Sequence, residues 1–407
     1  MAEPDLVLAL SRSATVGTVE TADVVVVGAG VFGASIAFRL VERSAGKVIL
    51  VDARGPAAGM SGRSFEQVRR HYSNEIAIRL ANRGFETFER WDDEVGVGGC
   101  GYVRLGYLLL VPEDSVAACR SNVELGRACG VDTRFVEADA IPDIEPLVSL
   151  SGVAGGAFEP DGGVVDVPLM LMSWIVAGIG RGLEVRFGSP VVSIEAAGGR
   201  VVGIRLPQAE ISAPVVVNAA GGWGPGLTAG LGLHLPVTFH RIQMAWLRQP
   251  PGAPRLGVCV TDAAGGLVAR PDRGPIALAV AYEPDLPAED APSLEAEVTP
   301  GYGRHLRSAL RARLPAYEGA SWERGVRGQY DATPDWHPLI GWAPGVEGLY
   351  LALGWSGHGL KLSPGVGEIV AEEVLGRTPF VDPSPLRPDR FERGAPMYLA
   401  YGPGARA

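Results

Sequence analysis

The chain contains 407 residues, of which 47% are hydrophobic and 20% are charged, and its formal net charge is −10. This composition predicts a large buried core and excludes an intrinsically disordered chain. An acidic chain without a basic run is poorly suited to nucleic acid or to an anionic membrane surface, so we expect neither as a partner. Only two of the 36 basic residues are lysines, Lys47 and Lys361, so chemistry that requires a lysine has two candidates.

The N-terminal region and the cysteines predict a cytoplasmic protein. Residues 1–20 lack a basic stretch before their short apolar segment, which indicates a flexible leader rather than a signal peptide. The longest apolar stretch, residues 167–180, is too short to span a bilayer, which requires about 20 residues. The four cysteines show no metal-binding spacing, and we expect them to be reduced thiols.

The first recognisable unit lies near the N-terminus. Residues 23–27 read DVVVV, which is typical of a buried parallel strand. A Gly-x-Gly-x-x-Gly turn follows at 28–33, then a predicted helix over 34–43 and a second buried strand over 48–51 that ends at Asp52. This order of strand, turn, helix and strand is typical of a dinucleotide-binding unit.

The glycines, the helix N-terminus and the acidic residue of that unit each have a physical role. The first glycine makes the turn, the second lets the backbone approach a pyrophosphate, and the third lets the helix pack on the strand. The helix N-terminus offers free N–H groups to the phosphates, and the acidic residue accepts hydrogen bonds from ribose hydroxyls. The predicted cofactor-binding residues are Gly28, Gly30, Val31, Gly33 and Asp52.

The remaining elements follow from apolar periodicity and turn signals. Helices are predicted over residues 74–95, 114–129, 166–180, 302–314 and 364–375. Strands are predicted at 106–111, 183–187, 191–195, 200–206, 215–217, 243–247, 257–260, 276–282 and 349–353. Residues 284–299 are rich in Pro, Asp and Glu and are predicted to form a surface loop.

These elements predict an α/β fold with an α+β second domain. The first domain is Rossmann-like, binds the cofactor and is discontinuous, because the buried-strand pattern returns late in the chain. It comprises residues 21–110, 150–228 and 331–380. The second is a discontinuous substrate-binding domain with an antiparallel sheet. It comprises residues 111–149 and 229–330, and residues 381–407 form a C-terminal tail.

Further motifs occur at separated points in one order. They are SGRS at 61–64, NAAG at 218–221, TPD at 333–335 with PLIG at 338–341, and GWSGHGLK at 354–361. With these motifs the sequence resembles the D-amino-acid oxidase/sarcosine oxidase family of flavoenzymes over residues 22–380. It is most similar to the sarcosine oxidases and to the β-subunits of their multisubunit relatives.

The resemblance implies FAD lying extended across the first domain. It also implies oxidation of the C–N bond of an amino acid or N-alkyl amine that carries a carboxylate. Hydride passes to flavin N5 and leaves an imine, and O2 or another acceptor reoxidises the flavin. Gly328 stands where monomeric sarcosine oxidases carry a flavin-linking cysteine, so the FAD is expected to be non-covalent.

The resemblance also assigns candidate catalytic residues. Arg69 and Lys361 match the pair that grips the substrate carboxylate, with Arg70 as the alternative to Arg69. His358 lies in the segment expected along the flavin, and Tyr72 belongs to the same short motif as Arg69. The catalytic candidates are therefore Lys361, Arg69 and His358.

Other pocket positions depart from the family pattern. Val268 stands in place of a pocket tyrosine, Ala279 in place of an oxygen-activating lysine, Glu283 in place of a histidine and Glu66 in place of a second arginine. These changes favour a substrate other than sarcosine. The predicted substrate-binding residues are Arg69, Lys361, Tyr72, Glu283, Val268 and Ala279.

Two other functions remain open from the sequence. A 2-hydroxy-acid dehydrogenase could use the same cofactor and the same carboxylate clamp. Alternatively, the chain could be the FAD-binding subunit of a multisubunit amine dehydrogenase complex. The partners expected are therefore a small amine or amino acid, an electron acceptor, and either a second copy of the chain or a partner subunit.

Overall fold

The computed structural model describes residues 19–283, 288–289, 292–294, 297–397 and 400–401. Most of the predicted leader, residues 1–18, lies outside these ranges. Its last two residues do not belong to a flexible segment, because the strand Val19–Thr21 pairs in parallel with the strand Glu210–Ser212. Among the described residues, no helix is both long enough and apolar enough to cross a bilayer.

A six-stranded sheet forms the centre of the first half of the fold. Its strands, in spatial order, are Glu184–Arg186, Val48–Val51, Val24–Val27, Val215–Asn218, Leu349–Leu353 and Leu339–Trp342. The first five run parallel and the last is antiparallel to its neighbour. Every residue of the two N-terminal strands is buried, which explains their unbroken apolar sequence. The predicted Rossmann-like arrangement is therefore confirmed.

The described residues contain eight α-helices. They are α1 (Val31–Glu42), α2 (Glu75–Glu89), α3 (Trp91–Glu94), α4 (Val116–Ala128), α5 (Val167–Ile179), α6 (Gly224–Thr228), α7 (Tyr302–Arg313) and α8 (Gly359–Val374). Helix α5 begins as predicted, because the Asp166 carboxylate caps it by accepting from the Leu169 N–H at 2.9 Å.

Helix α8 begins five residues earlier than predicted. Pro364 lies inside it and has no N–H to donate to the Leu360 carbonyl. The Ser363 hydroxyl donates to that carbonyl instead, at 2.7 Å, so the first turn is retained. As a result, Lys361 lies on the first turn of a buried helix and not in the preceding loop.

A nine-stranded, mostly antiparallel sheet forms the second half. Its strands are Ala288–Glu289, Thr238–Arg248, Ile276–Ala281, Leu267–Pro271, Cys259–Asp262, Tyr107–Val111, Gly155–Glu159 and Arg134–Glu137 in spatial order, with Ser321–Ala332 paired to Thr238–Arg248. Helix α7 packs on one face, where Leu306 and Leu310 contact the alanines of the central strands. The predicted α+β second unit is therefore present.

Two strands join this sheet although the predicted boundaries divide them from it. Tyr107–Val111 pairs with Cys259–Asp262 on one side and with Gly155–Glu159 on the other. The predicted boundaries place Gly155–Glu159, and all but one residue of Tyr107–Val111, in the cofactor domain. Backbone pairing between segments that are distant in sequence decides which sheet a strand joins. Apolar periodicity predicts that a strand forms but not its pairing partner. The other boundaries stay a prediction.

Two smaller sheets complete the fold. The first contains Val19–Thr21, Glu210–Ser212, Arg200–Arg205 and Ser193–Ala197, and a turn at residues 198–199 joins its last two strands. The second contains Gln67–Val68, Gly163–Val164 and Val103–Arg104. The second sheet fixes the backbone directly before Arg69.

The described part of the C-terminal segment is packed against the core. Arg390 is 1% exposed and its Nε and Nη2 atoms both donate to the Asp335 carboxylate at 2.8 Å. The predicted C-terminal tail over residues 381–407 is thus anchored to the core through Arg390, and residues 402–407 lie outside the described ranges. The predicted loop over 284–299 also lies partly outside them. Within it, Ala288–Glu289 pairs with Phe239 and His240.

Candidate active site

A cavity of about 690 Å³ is lined by residues of both large sheets and of helices α1 and α8. This volume lies within the ~300–1,000 Å³ that is usual for cofactor and ligand sites. At one end the lining includes the glycine-rich turn and Asp52. The antiparallel sheet contributes Ile242, Met244, Val268 and Val280 to the lining. The cavity therefore connects the predicted cofactor-binding residues with the predicted substrate domain.

The three glycines of the N-terminal turn each have a close neighbour where a Cβ would stand. A Cβ added to Gly28, which has a φ of +103°, would lie 2.5 Å from the Ala219 carbonyl oxygen. One added to Gly30 would lie 2.9 Å from the Ser61 hydroxyl, and one added to Gly33 would collide with the backbone of Gly28. Backbone contacts therefore require glycine at positions 28 and 33, whereas a Cβ at position 30 would meet the Ser61 side chain.

The N-terminus of α1 is suited to a pyrophosphate. Its N-cap, Gly30, provides no side-chain cap, and the Val31 N–H donates to the Ser61 hydroxyl at 3.1 Å. Val31 and Phe32 line the cavity, so the unsatisfied N–H groups of this turn are available to an anion. Val31, which the sequence predicts to bind the cofactor, therefore lies at this turn and lines the cavity.

Asp52 closes this end of the cavity. Its carboxylate accepts from the N–H groups of Ala29, Arg54 and Gly55, each at 2.8 Å. An ionised carboxylate has about four acceptor sites, so capacity remains for a ribose hydroxyl. The turn, the helix N-terminus and Asp52 together fit the adenosine diphosphate part of a dinucleotide.

The segment before α8 provides a backbone wall further along the cavity. Ser356 and Gly357 have φ values of +52° and +81°, and a Cβ on Gly357 would lie 2.9 Å from the Tyr330 ring. His358 is the N-cap of α8 and lines the cavity. Trp355 also lines it and stacks on Phe32 with ring planes 7° apart. A flat ring system such as isoalloxazine fits against this wall, so these residues fit FAD.

The two adjacent arginines have different surroundings. Arg69 is 3% exposed, lines the cavity, and donates from Nη1 to the His71 carbonyl. Arg70 does not line the cavity. Its Nη2 atom lies 2.7 Å from the Asp161 carboxylate, and its guanidinium lies over the Phe85 ring. The geometry therefore favours Arg69 over Arg70 as the substrate-facing cation.

Lys361 lies beside Arg69 in the same lining. Its side chain is buried, and its ammonium lies 5.9 Å from the centre of the Tyr72 ring. Burial, together with the nearby Arg69 guanidinium, lowers the pKa of Lys361 well below its usual value. Neither cation forms an ion pair with a carboxylate of the described residues.

Tyr72 lies behind this pair and not in the cavity itself. The centre of its ring lies 4.8 Å from the guanidinium carbon of Arg69. The ring also packs edge-on against the His358 ring, with 5.4 Å between the two ring centres. The sequence predicts Tyr72 to bind substrate, but the Tyr72 ring packs against the side chains of Arg69 and His358 and does not line the cavity.

Sequence reasoning did not find Glu159, a fully buried carboxylate near the two cations. Its Oε2 atom accepts from the Arg70 N–H at 2.8 Å, and Oε1 has no hydrogen-bond partner within the described part of the chain. Burial raises the pKa of Glu159, and the charges of Arg70 and Arg69 act against that increase. No local motif marks this position, because it lies in a strand of otherwise small and apolar residues.

The central strands of the antiparallel sheet place Val268 and Ala279 on opposite faces. Val268 pairs with Val280, and both line the cavity. Ala279 pairs with Ala269, and both belong to the core cluster that packs on α7. Of these two predicted substrate-binding residues, Val268 therefore lines the cavity and Ala279 does not.

Glu283 also faces away from the cavity. It accepts from the Gln243 amide at 2.9 Å and lies 3.7 Å from Arg241, whereas the preceding residue, Tyr282, lines the cavity. Both misplaced residues lie one position from a lining residue. Because side chains alternate along the strand Ile276–Ala281, an alignment error of one residue moves Ala279 to the opposite face, whereas Glu283 lies beyond the end of that strand.

Two further acidic groups line the cavity. Asp331 accepts from the Gly354 N–H at 3.1 Å, and burial raises its pKa to about 6. Glu66 accepts from the guanidinium of the buried Arg270 at 2.9 Å. Burial raises the pKa of Glu66, although Arg270 acts in the opposite direction.

The fold and this cavity define a protein of the class that binds a flavin dinucleotide beside a covered substrate pocket. The family described as "DAO: FAD dependent oxidoreductase" matches residues 23–373. This match extends over most of the chain, and the chain belongs to that family. It is therefore an FAD-dependent oxidoreductase, as the motifs of the sequence predicted.

Individual relatives agree with this assignment. The 4-methylaminobutanoate oxidase (formaldehyde-forming) of Paenarthrobacter nicotinovorans is 26% identical over 90% of this chain, which spans 45% of that protein. The sarcosine oxidase subunit beta of Rhodobacter capsulatus is 22% identical, with 91% of this chain and 89% of the subunit covered. The structure of L-proline dehydrogenase from P. horikoshii has a TM-score of 0.84 at 24% identity and covers 93% of this chain and 100% of its own, which supports the fold.

Proposed function

We propose that this protein oxidises the C–N bond of an amino acid or N-alkyl amine that carries a carboxylate. The observation that carries the proposal is the pair of buried basic side chains, Arg69 and Lys361, which line the cavity and form no ion pair with a carboxylate of the described residues. The buried Glu159 acts on both only through its charge. A buried charge without a partner is strongly unfavourable, and a substrate carboxylate would compensate both. Arginine can bind it through two parallel hydrogen bonds, and lysine adds a third donor.

The residues of the chain would bind and orient the substrate. Arg69 and Lys361 fix its carboxylate, and the apolar side chains of Val268 and Val280 exclude water from the opposite wall. FAD, when bound, would accept the hydride at N5, and the product would be an imine that water hydrolyses. The amine must be neutral to release hydride, so the site must accept the substrate after its ammonium has lost a proton.

We also propose that the FAD is bound non-covalently. Gly328 lines the cavity where a cysteine links the flavin in monomeric sarcosine oxidases, and none of the four free cysteines is among the described lining residues. Acid precipitation should therefore release the flavin into the supernatant. Flavin that stays with the precipitated protein would contradict this proposal.

The curated relatives support the same substrate class. The names of the two relatives above specify 4-methylaminobutanoate and sarcosine, each a methylated amine with a carboxylate. The similarity to a β-subunit also supports a partner subunit for this chain. In addition, the four thiols are free of disulfides, which supports a reducing compartment such as the cytoplasm.

Anaerobic mixing with a panel of N-methyl, cyclic and D-amino acids tests the proposed function. We expect at least one of these amines to bleach the flavin absorption. Bleaching by 2-hydroxy acids, and by none of the amines, would contradict it and favour a hydroxy-acid dehydrogenase. The peroxide yield on admitting air then separates an oxidase from a dehydrogenase.

A further inference from the structure

Glu66 is the acidic residue of the cavity that neither cofactor binding nor the carboxylate clamp accounts for. Three carboxylates occur among the described lining residues, namely Asp52, Glu66 and Asp331. Asp52 is bonded to three backbone N–H groups at the dinucleotide end, and Asp331 is bonded to the Gly354 N–H. The Glu66 side chain remains 28% exposed.

The surroundings of Glu66 carry excess negative charge. Arg270 is buried and donates to Glu66 at 2.9 Å, but it also lies 3.3 Å from the Asp272 carboxylate. One guanidinium therefore serves two carboxylates, which leaves the cluster of Glu66, Arg270 and Asp272 with a net charge of −1. A cation in the cavity would balance that charge.

The backbone directs this carboxylate into the cavity. Glu66 has a φ of +63°, a left-handed conformation that costs energy for a residue with a side chain. Its carbonyl accepts from the Val165 N–H at 3.1 Å, and the Arg270 Nε atom donates to the neighbouring Phe65 carbonyl at 2.8 Å. These bonds hold the conformation in which Glu66 and Arg69, three residues apart, line one cavity.

We propose that Glu66 determines specificity by binding a second, non-reacting cationic group of the substrate. This inference rests on the proposed function, because the reacting amine must be neutral when hydride leaves. A carboxylate would stabilise the ammonium form of that amine and oppose the reaction, so Glu66 is suited to a group that stays charged. The substrate class is then an amino acid with an additional ammonium or guanidinium group.

Ligand binding tests this proposal separately from turnover. We would titrate the FAD-loaded protein anaerobically with 6-aminohexanoate and with hexanoate, which differ in the terminal ammonium, and follow the flavin spectrum. Glu66→Gln should weaken 6-aminohexanoate binding about tenfold and leave hexanoate unchanged. Asp272→Asn removes the excess charge beside Arg270 but keeps the carboxylate that lines the cavity, so it should weaken 6-aminohexanoate binding less than Glu66→Gln does and should also leave hexanoate binding unchanged. If E66Q loses its FAD, Glu66→Asp is used as the variant instead. It should retain part of the preference for 6-aminohexanoate over hexanoate.

A substrate pair completes the test. Wild-type protein should be reduced at least about tenfold more efficiently by Nα-methyl-lysine than by Nα-methyl-norleucine, in one enantiomer, and E66Q should abolish this ratio. Equal rates with the two substrates, or equal affinities for the two ligands, would overturn the role of Glu66 while leaving amine oxidation intact. Failure of every amine to reduce the flavin would refute the proposed function and this inference together.

Discussion

Replacement of Lys361 by methionine tests the carboxylate clamp. Lys361 lies on the first turn of α8, and its carbonyl packs against Gly84 of α2 so closely that a Cβ there would collide with it. The backbone is thus fixed, and methionine keeps most of the apolar volume of the lysine stem. We expect the variant to fold and to retain FAD, with an unfolding temperature equal to or above that of the wild type, because a buried cation has been removed.

The magnitude follows from the lost hydrogen bond. A bond to a charged group contributes about 1.5–3 kcal/mol, so Lys361→Met should lower kcat/KM for a carboxylate substrate by roughly ten- to 150-fold. Stopped-flow flavin reduction under anaerobic conditions measures this directly. Lys47→Met is the matched control, because Lys47 is the other lysine and its half-exposed ammonium lies 3.3 Å from Glu20 and 3.4 Å from Glu184, away from the cavity.

The effect should depend on pH with a defined sign. Because the pKa of Lys361 is lowered, the charged form that binds a carboxylate exists below that pKa and is lost as the pH rises through it. The affinity of the wild-type protein for a carboxylate substrate should therefore fall as the pH rises, at a pH well below 10.5. In the same pH range the difference in kcat/KM between wild type and Lys361→Met should become smaller. Unchanged capture in the variant at low pH would remove Lys361 from the site.

Three other substitutions test different parts of the structure. Gly33→Ala should prevent FAD binding and destabilise the fold, because the new Cβ collides with the preceding turn; normal flavin content would refute this. Asp335→Asn should lower the free energy of unfolding by ~3–5 kcal/mol at neutral pH, because it leaves buried Arg390 without its partner. Arg390 holds the pKa of Asp335 below its usual value, although burial opposes this. The loss of unfolding free energy in Asp335→Asn should therefore shrink below about pH 4, where the wild-type carboxylate becomes protonated. Urea unfolding that shows the same difference between variant and wild type at every pH would contradict this. Val280→Lys should alter the oxygen reactivity of the reduced flavin, whereas Ala279→Lys should only destabilise the protein; the reverse result in oxygen-mixing experiments would contradict the assigned faces.

The cofactor half of the site could be predicted from the sequence because its constraints are local. The glycine spacing from Gly28 to Gly33 and the position of Asp52 after a buried strand both lie within one continuous segment of the sequence. Both short buried strands of this unit appear with nearly the predicted bounds. Local patterns of this kind can be recognised in a single sequence.

The substrate half could be predicted only through the family resemblance, and there only in part. Arg69 and Lys361 line the cavity as expected, since each lies next to a distinctive motif. Ala279 does not line the cavity. Its strand has no polar residue to set the register, and a shift of one residue changes the face. Glu159 could not be found, because its proximity to the cations arises from the packing of distant segments.

The C-terminal segment illustrates a second limit. The pairing of Arg390 with Asp335 joins residues 55 positions apart, and composition alone describes that region as polar and rich in proline. Similarly, the start of α8 was placed too late because proline usually ends or begins a helix. Here a serine hydroxyl replaces the missing N–H, which only the structure shows.

The central claim is that this flavoprotein oxidises an amine whose carboxylate is held by Arg69 and Lys361. Its most direct test compares flavin reduction, under anaerobic conditions, by an N-methyl amino acid that bleaches the flavin and by the same amine without its carboxylate. We predict rapid bleaching by the amino acid and a loss of at least about tenfold in kcat/KM without the carboxylate. Equal bleaching by both compounds, or no bleaching by any amine, would contradict the account.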